Sequence, residues 1–395
     1  MYTEEIKQLA LKYHEEMIRW RRHLHQYPEL GFEEVETGRY LAEALTALGY
    51  QVTEGIAKTG VVGLLQGEGA AGKVVAIRAD MDALPVTELS EVAYASRHPG
   101  KMHACGHDTH MAMVLGAAAV LASLKASLKG SIKIIFQPAE EGPGGAIPMI
   151  AAGVLENPAV DYILGGHAWP GIPVGQIALQ AGPMMASSTG FNITIRGRGG
   201  HGAEPHKCID AVALGAQVVV ALQQIISRTN DPQEPAVVTV GQFNAGTRSN
   251  IIAETAELRG TLRTFNTANR DRILDLIQKV ASGVCEPYGA VADMGPRRSA
   301  GLDVTANDAA LTARVLTSAE AILGESNVIT KFKPSMGGED FCYFAHKIPG
   351  CYIFIGVTGE SQGTYPIHHN RFDIDEEALR YGAMLFAQAA VDLLL

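Results

Sequence analysis

Residues 103–110 read HACGHDTH, which gathers three histidines, a cysteine and an aspartate into eight positions. Imidazole, thiolate and carboxylate are the groups that bind divalent transition metals, so metal chemistry is the first question. A structural zinc site would recruit a second, cysteine-rich pair, but the other cysteines stand apart at 208, 285, 342 and 351. A redox thiol would want a Cys-x-x-Cys partner, which the chain lacks. A catalytic dyad of Cys105 with a histidine would leave other polar residues unused. Those residues are Asp80 and Asp82 in RADMD, Glu140 and Glu141 in QPAEE, and His167 in DYILGGH. A mixed Cys/His/carboxylate set suits a divalent metal with open positions, hence a catalytic one. The adjacent acids fit a division of labour, in which one binds metal and the other moves protons. Asp82 fits a carboxylate that orients a ligand histidine, while Asp80 fits either that role or a pair with Arg78. His201, flanked by glycines in GRGGHGAEPH, and the pair His368 and His369 before the last helix are further candidates.

These residues need a scaffold that brings them together. KVVAIRAD, SIKIIFQPAEE, DYILGGH and GCYIFIG are apolar runs closed by acids, a histidine or glycines. Helical patterns separate them, TGRYLAEALTALG ending at Gly49 and DTHMAMVLGAAAVLASLKASLKG ending at Gly130, with Asp108 where an N-cap would stand. Strands apolar throughout, alternating with helices, predict an α/β sheet covered on both faces. Ligands bind such sheets beyond the carboxyl ends of the strands, where these acids and His167 fall. The middle of the chain instead alternates apolar and polar residues in STGFNITIRGRGGH, AVVTVGQFNAG and ETAELRGTLRTF, with two helices between and after. That order predicts an inserted α+β domain over 184–295, with residues 1–183 and 296–395 forming a discontinuous main domain. GEGAAGKV at 67–74 has phosphate-loop spacing but fails at Val74, where Ser or Thr is needed; it reads as the turn of a β-hairpin.

Composition narrows the class. The chain has 395 residues and a formal net charge of −10, which argues against nucleic acid as a partner. The N-terminal stretch lacks a signal peptide's basic start and apolar middle, and the alanine-rich stretch after His110 is too interrupted to cross a bilayer. Five scattered cysteines fit a reducing compartment, so a cytoplasmic protein without membrane attachment is expected.

Taken together, RRHLHQYPELGFEE, RADMDALP, MHACGHDTHMAMVLGAA, FQPAEEGPGGA, GGHGAEPH, GTRSNIIAE, GGEDF and HHNRFDID resemble the M20 metallopeptidase family, in its amidohydrolase branch. The resemblance implies a metal-dependent exopeptidase-like domain carrying an inserted, ferredoxin-like lid or dimerisation domain. It implies two divalent metals, zinc, manganese, cobalt or nickel, with Cys105 bridging and His107, Glu141 and His167 as ligands. His368, by the family's spacing, completes the set, with His369 beside it. Glu140 matches the general base and Asp82 the carboxylate behind a ligand. His201 matches an oxyanion-stabilising histidine, often supplied by the partner of a homodimer. Asn250 and Arg263 match positions that bind the substrate's carboxylate or reacting carbonyl. One departure is Asn370, where relatives often carry proline. The implied activity is hydrolysis of the amide of N-acyl-L-amino acids or of short peptides with a free carboxylate. The alternative is an inactive small-molecule or peptide binder on the same fold.

Overall fold

A computed structural model describes residues 2–69, 72–142, 144–295 and 301–395. Parts of the GEGAAGKV and GPGGA stretches, and the expected boundary at 296, lie outside the described residues. In chain order the main elements are α1 (Thr3–Gln26), α2 (Val35–Ala47), β1 (Gln51–Ile56), β2 (Gly60–Gln66), β3 (Val74–Asp80), α3 (His107–Ser123), β4 (Ser131–Gln137), β5 (Tyr162–Pro173) and β6 (Ile177–Ala178). There follow β7 (Ser187–Arg196), α4 (Ala211–Gln224), β8 (Ala236–Ala245), β9 (Thr255–Thr264), α5 (Thr267–Cys285) and β10 (Val291–Asp293). The chain closes with α6 (Ala309–Leu323), β11 (Val328–Ile329), β12 (Gly350–Thr358) and α7 (Glu377–Leu394). They divide into two units, one of Met1–Met184, Ala306–Lys333 and Asp340–Leu395, the other of Met185–Thr305 and Pro334–Glu339.

The first unit holds an eight-stranded mixed sheet in the order β1-β2-β4-β3-β5-β12-β6-β11. Its centre, β4-β3-β5-β12, is parallel. Every residue of β3 is buried, so both faces are covered, as its unbroken apolar sequence demands. Helix α3 is buried at each position from His107 to Leu121, the mark of a helix that is apolar all round. Helix α1 is amphipathic; Ile6, Ala10, Met17, Trp20 and Leu24 recur at helical spacing on its buried side. It comes so near α3 at Gly116 that a Cβ there would lie 2.6 Å from the Met17 side chain.

Three local expectations need correction. Strands β2 and β3 do not form a hairpin; both pair with β4, which runs between them, antiparallel to β2 and parallel to β3. No local signal in residues 67–74 could report an intervening strand that arrives more than fifty residues later. Asp108 is not the N-cap of α3. That place belongs to Gly106 in the left-handed region (φ 87°), and Asp108 lies in the first turn, buried. The helix also ends at Ser123, before a short 3-10 turn at Lys125–Ser127, not at Gly130.

The second unit is a four-stranded antiparallel sheet in the order β8-β9-β7-β10 with two helices, in the chain order strand-helix-strand-strand-helix-strand. Strand β7 buries alternate residues, among them Phe191, Ile193 and Ile195, which join Leu258, Val218 and Ile277 in one core. Both helices start on side-chain caps, Asp210 accepting from Val212 N and Asn266 from Asn269 N. By length and apolar content Ala211–Thr229 could cross a membrane. Its Leu214, Val218, Leu222 and Ile225 are nevertheless spent on the core of this unit.

Candidate metal centre

The parallel strands carry their polar residues at one end, as open α/β sheets do. Strand β3 ends at Asp80, β4 leads through Pro138 to Glu140 and Glu141, and His167 sits within β5. Cys105 and His107 enter from the turn that starts α3. The sets of donor atoms within 4.8 Å of one another include Cys105 with His107 and His167, Cys105 with Glu141 and His368, and His107 with Glu140 and Glu141.

The hydrogen bonds say which nitrogens remain available. His167 Nδ1 lies 2.8 Å from Ala168 O. A carbonyl only accepts, so the proton is on Nδ1 and the Nε2 lone pair faces Cys105 Sγ at 3.4 Å. A ring N–H held by a backbone carbonyl is the usual outer support of a metal-ligating histidine. His110 is the opposite case. Its Nε2 accepts from Ala168 N at 2.8 Å and its Nδ1 meets Asp80 Oδ1 at 2.6 Å. Both nitrogens are engaged, so the nearby grouping of Asp80, His107 and His110 is not a ligand set.

Asp82 organises the acidic turn. Its Oδ1 accepts from Glu140 N and its Oδ2 from Glu141 N, each at 3.0 Å. Oδ1 also lies 3.3 Å from His107 Nδ1. Asp80 also approaches the His107 ring, its Oδ2 3.8 Å from Nε2, but its main partners differ from those of Asp82. The strand stops at Asp80, whose Oδ2 pairs with Arg78 Nη1 at 2.8 Å, while Asp82 turns to the 140–141 backbone. His368 Nε2 stands 3.1 Å from Glu141 Oε1, and its backbone N donates to Ala104 O at 2.7 Å. Its φ of 67° is uncommon for a residue with a side chain, and such backbone gathers at functional sites. His369 turns elsewhere; its ring stacks on Tyr365 and its Nδ1 accepts from Arg371 N.

Charge balance favours cations here. Burial opposes charge on His107, but Asp80, Asp82 and Glu141 outweigh it and lift its pKa to about 10. Burial raises Glu141, yet His368 and His107 bring it down to about 2. Burial, then the charges of Glu141 and Glu140, hold the Cys105 thiol well above its usual range. A nucleophilic cysteine needs the reverse shift, so a Cys105–His167 dyad is disfavoured even though the atoms meet. Among the described residues His107 Nδ1 has only the long contact to Asp82 at 3.3 Å, and Nε2 has no hydrogen-bond partner. An orphaned buried nitrogen beside thiol and carboxylates is what a cation would satisfy. The residues present fit a divalent metal.

His201, Asn250 and Arg263 belong to the second unit. His201 pairs with Ile251 in a two-residue ladder, and Gly202 N donates to Asn250 O at 2.9 Å. A Cβ at Gly202 would lie 3.0 Å from that carbonyl, the close approach that the flanking glycines permit. Arg263 lies in β9 opposite Ser188, with Nη1 3.4 Å from Met336 O.

Sequence reasoning left other residues without a role. Arg21 and His25, both in RRHLHQYPELGFEE, are buried against Asp108, each at 2.8 Å. Glu34, in the same stretch, is buried and hydrogen-bonds Ala139 N at 2.9 Å. The stretch itself was the signal, since buried partners were unknown until the chain was folded.

A family profile described as Peptidase family M20/M25/M40 matches residues 76–392. The N-acyl-L-amino acid amidohydrolase of Geobacillus stearothermophilus is 46 % identical over 73 % of this chain and 78 % of its own. Thermostable carboxypeptidase 2 of Saccharolobus solfataricus is 40 % identical over 98 % of each chain. Among solved structures, a Bacillus subtilis protein titled a dinuclear metal binding peptidase from the M20 family superposes with a TM-score of 0.83, at 37 % identity, over 97 % of this chain and 99 % of that one. Sheet, buried donor cluster and sequence agree on a metal-dependent amidohydrolase. The chain belongs to the M20/M25/M40 peptidase family.

Proposed function

We propose that the chain hydrolyses the amide bond of N-acyl-L-amino acids, or the last bond of short peptides, where a free carboxylate adjoins the amide. The observation that carries this reading is the sharing of donors: a buried triad, Cys105 with His107 and His167, and a second that reaches the exposed His368, Cys105 with Glu141 and His368, have Cys105 in common. That suits a pair of divalent ions, which Cys105, His107, Glu141, His167 and His368 would hold. When bound, such ions supply Lewis acidity, which makes water nucleophilic near neutral pH and polarises a carbonyl.

The chain's own residues do the rest. Glu140 takes the proton of the attacking water and returns it to the leaving amine. Asp82 holds Glu140 and Glu141 at a set separation through their backbone N–H groups. From the second unit, His201 is assigned to the developing oxyanion and Asn250 and Arg263 to the substrate's carboxylate or carbonyl. The same unit is read as a lid and dimerisation domain of a homodimer working in the cytoplasm, where the five free cysteines stay reduced. The amidohydrolase and carboxypeptidase relatives support the substrate class.

The test is metal analysis, then chelation and add-back of zinc, manganese, cobalt and nickel against a panel of acylated amino acids. Two ions per chain with recoverable hydrolysis is the expected result. Two ions with no hydrolysis across the panel would identify a binding protein instead. Glu140→Gln is expected to keep fold and metals and lose nearly all turnover.

A further inference from the structure

Glu140 and Glu141 sit on a turn whose shape is not self-sustaining. Ala139 has φ 55°, a left-handed conformation that residues with a side chain adopt only when the surroundings impose it. The surroundings here are two buried carboxylates. Three successive N–H groups donate to them: Ala139 to Glu34 Oε1 at 2.9 Å, Glu140 to Asp82 Oδ1 and Glu141 to Asp82 Oδ2, both at 3.0 Å.

Glu34 comes from the far side of the unit's sequence, just before α2. It is fully buried, and its Oε2 accepts from Thr59 Oγ1 at 2.7 Å. The loop that carries it runs against the turn. A Cβ at Gly31 would lie 3.1 Å from both Ala139 Cα and Ala139 Cβ, so a side chain there would push the turn by a few tenths of an ångström. Two residues earlier, Glu29 O accepts from Ala83 N at 2.8 Å, which ties the loop to the residue after Asp82. One loop thus holds both the turn that presents Glu140 and the chain beside the carboxylate that orients it. Glu34's hydrogen-bond donors among the described residues, Thr59 Oγ1 and Ala139 N, are uncharged, and burying a carboxylate on such partners is costly.

We infer that residues 29–34 brace the Glu140–Glu141 turn and that Glu34 is a positioning residue for the hydrolysis. The inference rests on the reading of Glu140 as proton carrier. Glu34 touches neither substrate nor reacting atoms; it acts through the backbone of Ala139.

The experiment compares Glu34→Ala and Glu34→Gln in the metal-loaded enzyme. A glutamine can accept from Ala139 N and donate to Thr59 Oγ1, so it preserves both links, whereas alanine removes both. Glu34→Ala is expected to lower kcat on the order of 10²-fold, the cost typical of ångström-scale misplacement, with KM and metal content little changed. Glu34→Gln should restore most of kcat. Hydrogen exchange followed by mass spectrometry should show faster exchange of amides 139–141 in Glu34→Ala alone. Should Glu34→Ala fold poorly, Gly31→Ala presses on the same turn with Glu34 intact and should lower kcat in the same way. Unchanged exchange at 139–141, or an intact kcat in Glu34→Ala, overturns the brace. Retained turnover in Glu140→Gln overturns the proton carrier instead, and the exchange result still decides the brace.

Discussion

At the scale of single residues, the site depends on side chains that serve two neighbours at once. Asp82 is the clearest case, because one carboxylate caps the acidic turn and faces His107. Asp82→Asn offers one acceptor where two N–H groups need one each. It is expected to weaken metal binding about 10- to 100-fold, the usual cost of losing a ligand's outer partner, as read by titration calorimetry. His25 gives a pH signature away from the donor atoms. Burial opposes its charge, but Asp108 at 2.8 Å and Glu88 at 3.1 Å raise its pKa above 6.5. A raised histidine stabilises the fold fully below 6.5 and loses that contribution as pH climbs through the folded value. The melting-temperature gap between wild type and His25→Asn should therefore narrow as pH rises from 6.5 into the alkaline range. Much of the cluster was legible because Cys105, Glu140 and Glu141 fall after a strand or beside a helix start; His167 lies within β5, which runs on to Pro173 past the expected strand end. Asp80 could not be resolved from sequence, since its role depends on His110, which donates to it from α3.

At the scale of elements, α1 is fastened to the start of α3 by a buried ion network. Arg21 Nε meets Asp108 Oδ2 and Nη2 meets Asp373 Oδ1, both at 2.8 Å, with the Arg21 and Asp108 side chains wholly buried. Arg21→Met would leave Asp108 with His25 alone and is expected to cost up to about 3–5 kcal/mol, the range for breaking a buried pair, measured by urea unfolding. Burial and Asp108 together explain why this is a breakage and not a trimming: the guanidinium is held charged by its acids. Strands β3, β4, β12 and the start of β5 were readable as apolar runs, and β7, β8 and β9 from their alternation. Their order was not, since inserting β4 between β2 and β3 is settled by packing and leaves no trace in the connecting residues. The first turn of α3 misled for a similar reason. Asp108 has the type of an N-cap, but its carboxylate is worth more against Arg21 and His25 than against its own backbone.

At the scale of the molecule, each unit has its own apolar core, and Cys105, His107, Glu140, Glu141, His167 and His368 all belong to the first. Calorimetry is expected to resolve two transitions. Metal at a hundred times its dissociation constant should stabilise the first unit by about 2.7 kcal/mol and leave the other transition in place. Chelation should reverse the shift.

The first unit is also finished last. Strand β12 lies along β5, and it and α7, almost wholly interior, are made only after residues 185–305. On the ribosome, the early half of this unit must wait with one flank of β5 bare while the intervening 185–305 segment emerges and folds around its own core. Nascent chains stalled before residue 350 should be cut readily by protease in the early half and resist it in the middle. A bound chaperone or a slowed codon stretch would matter most in that interval.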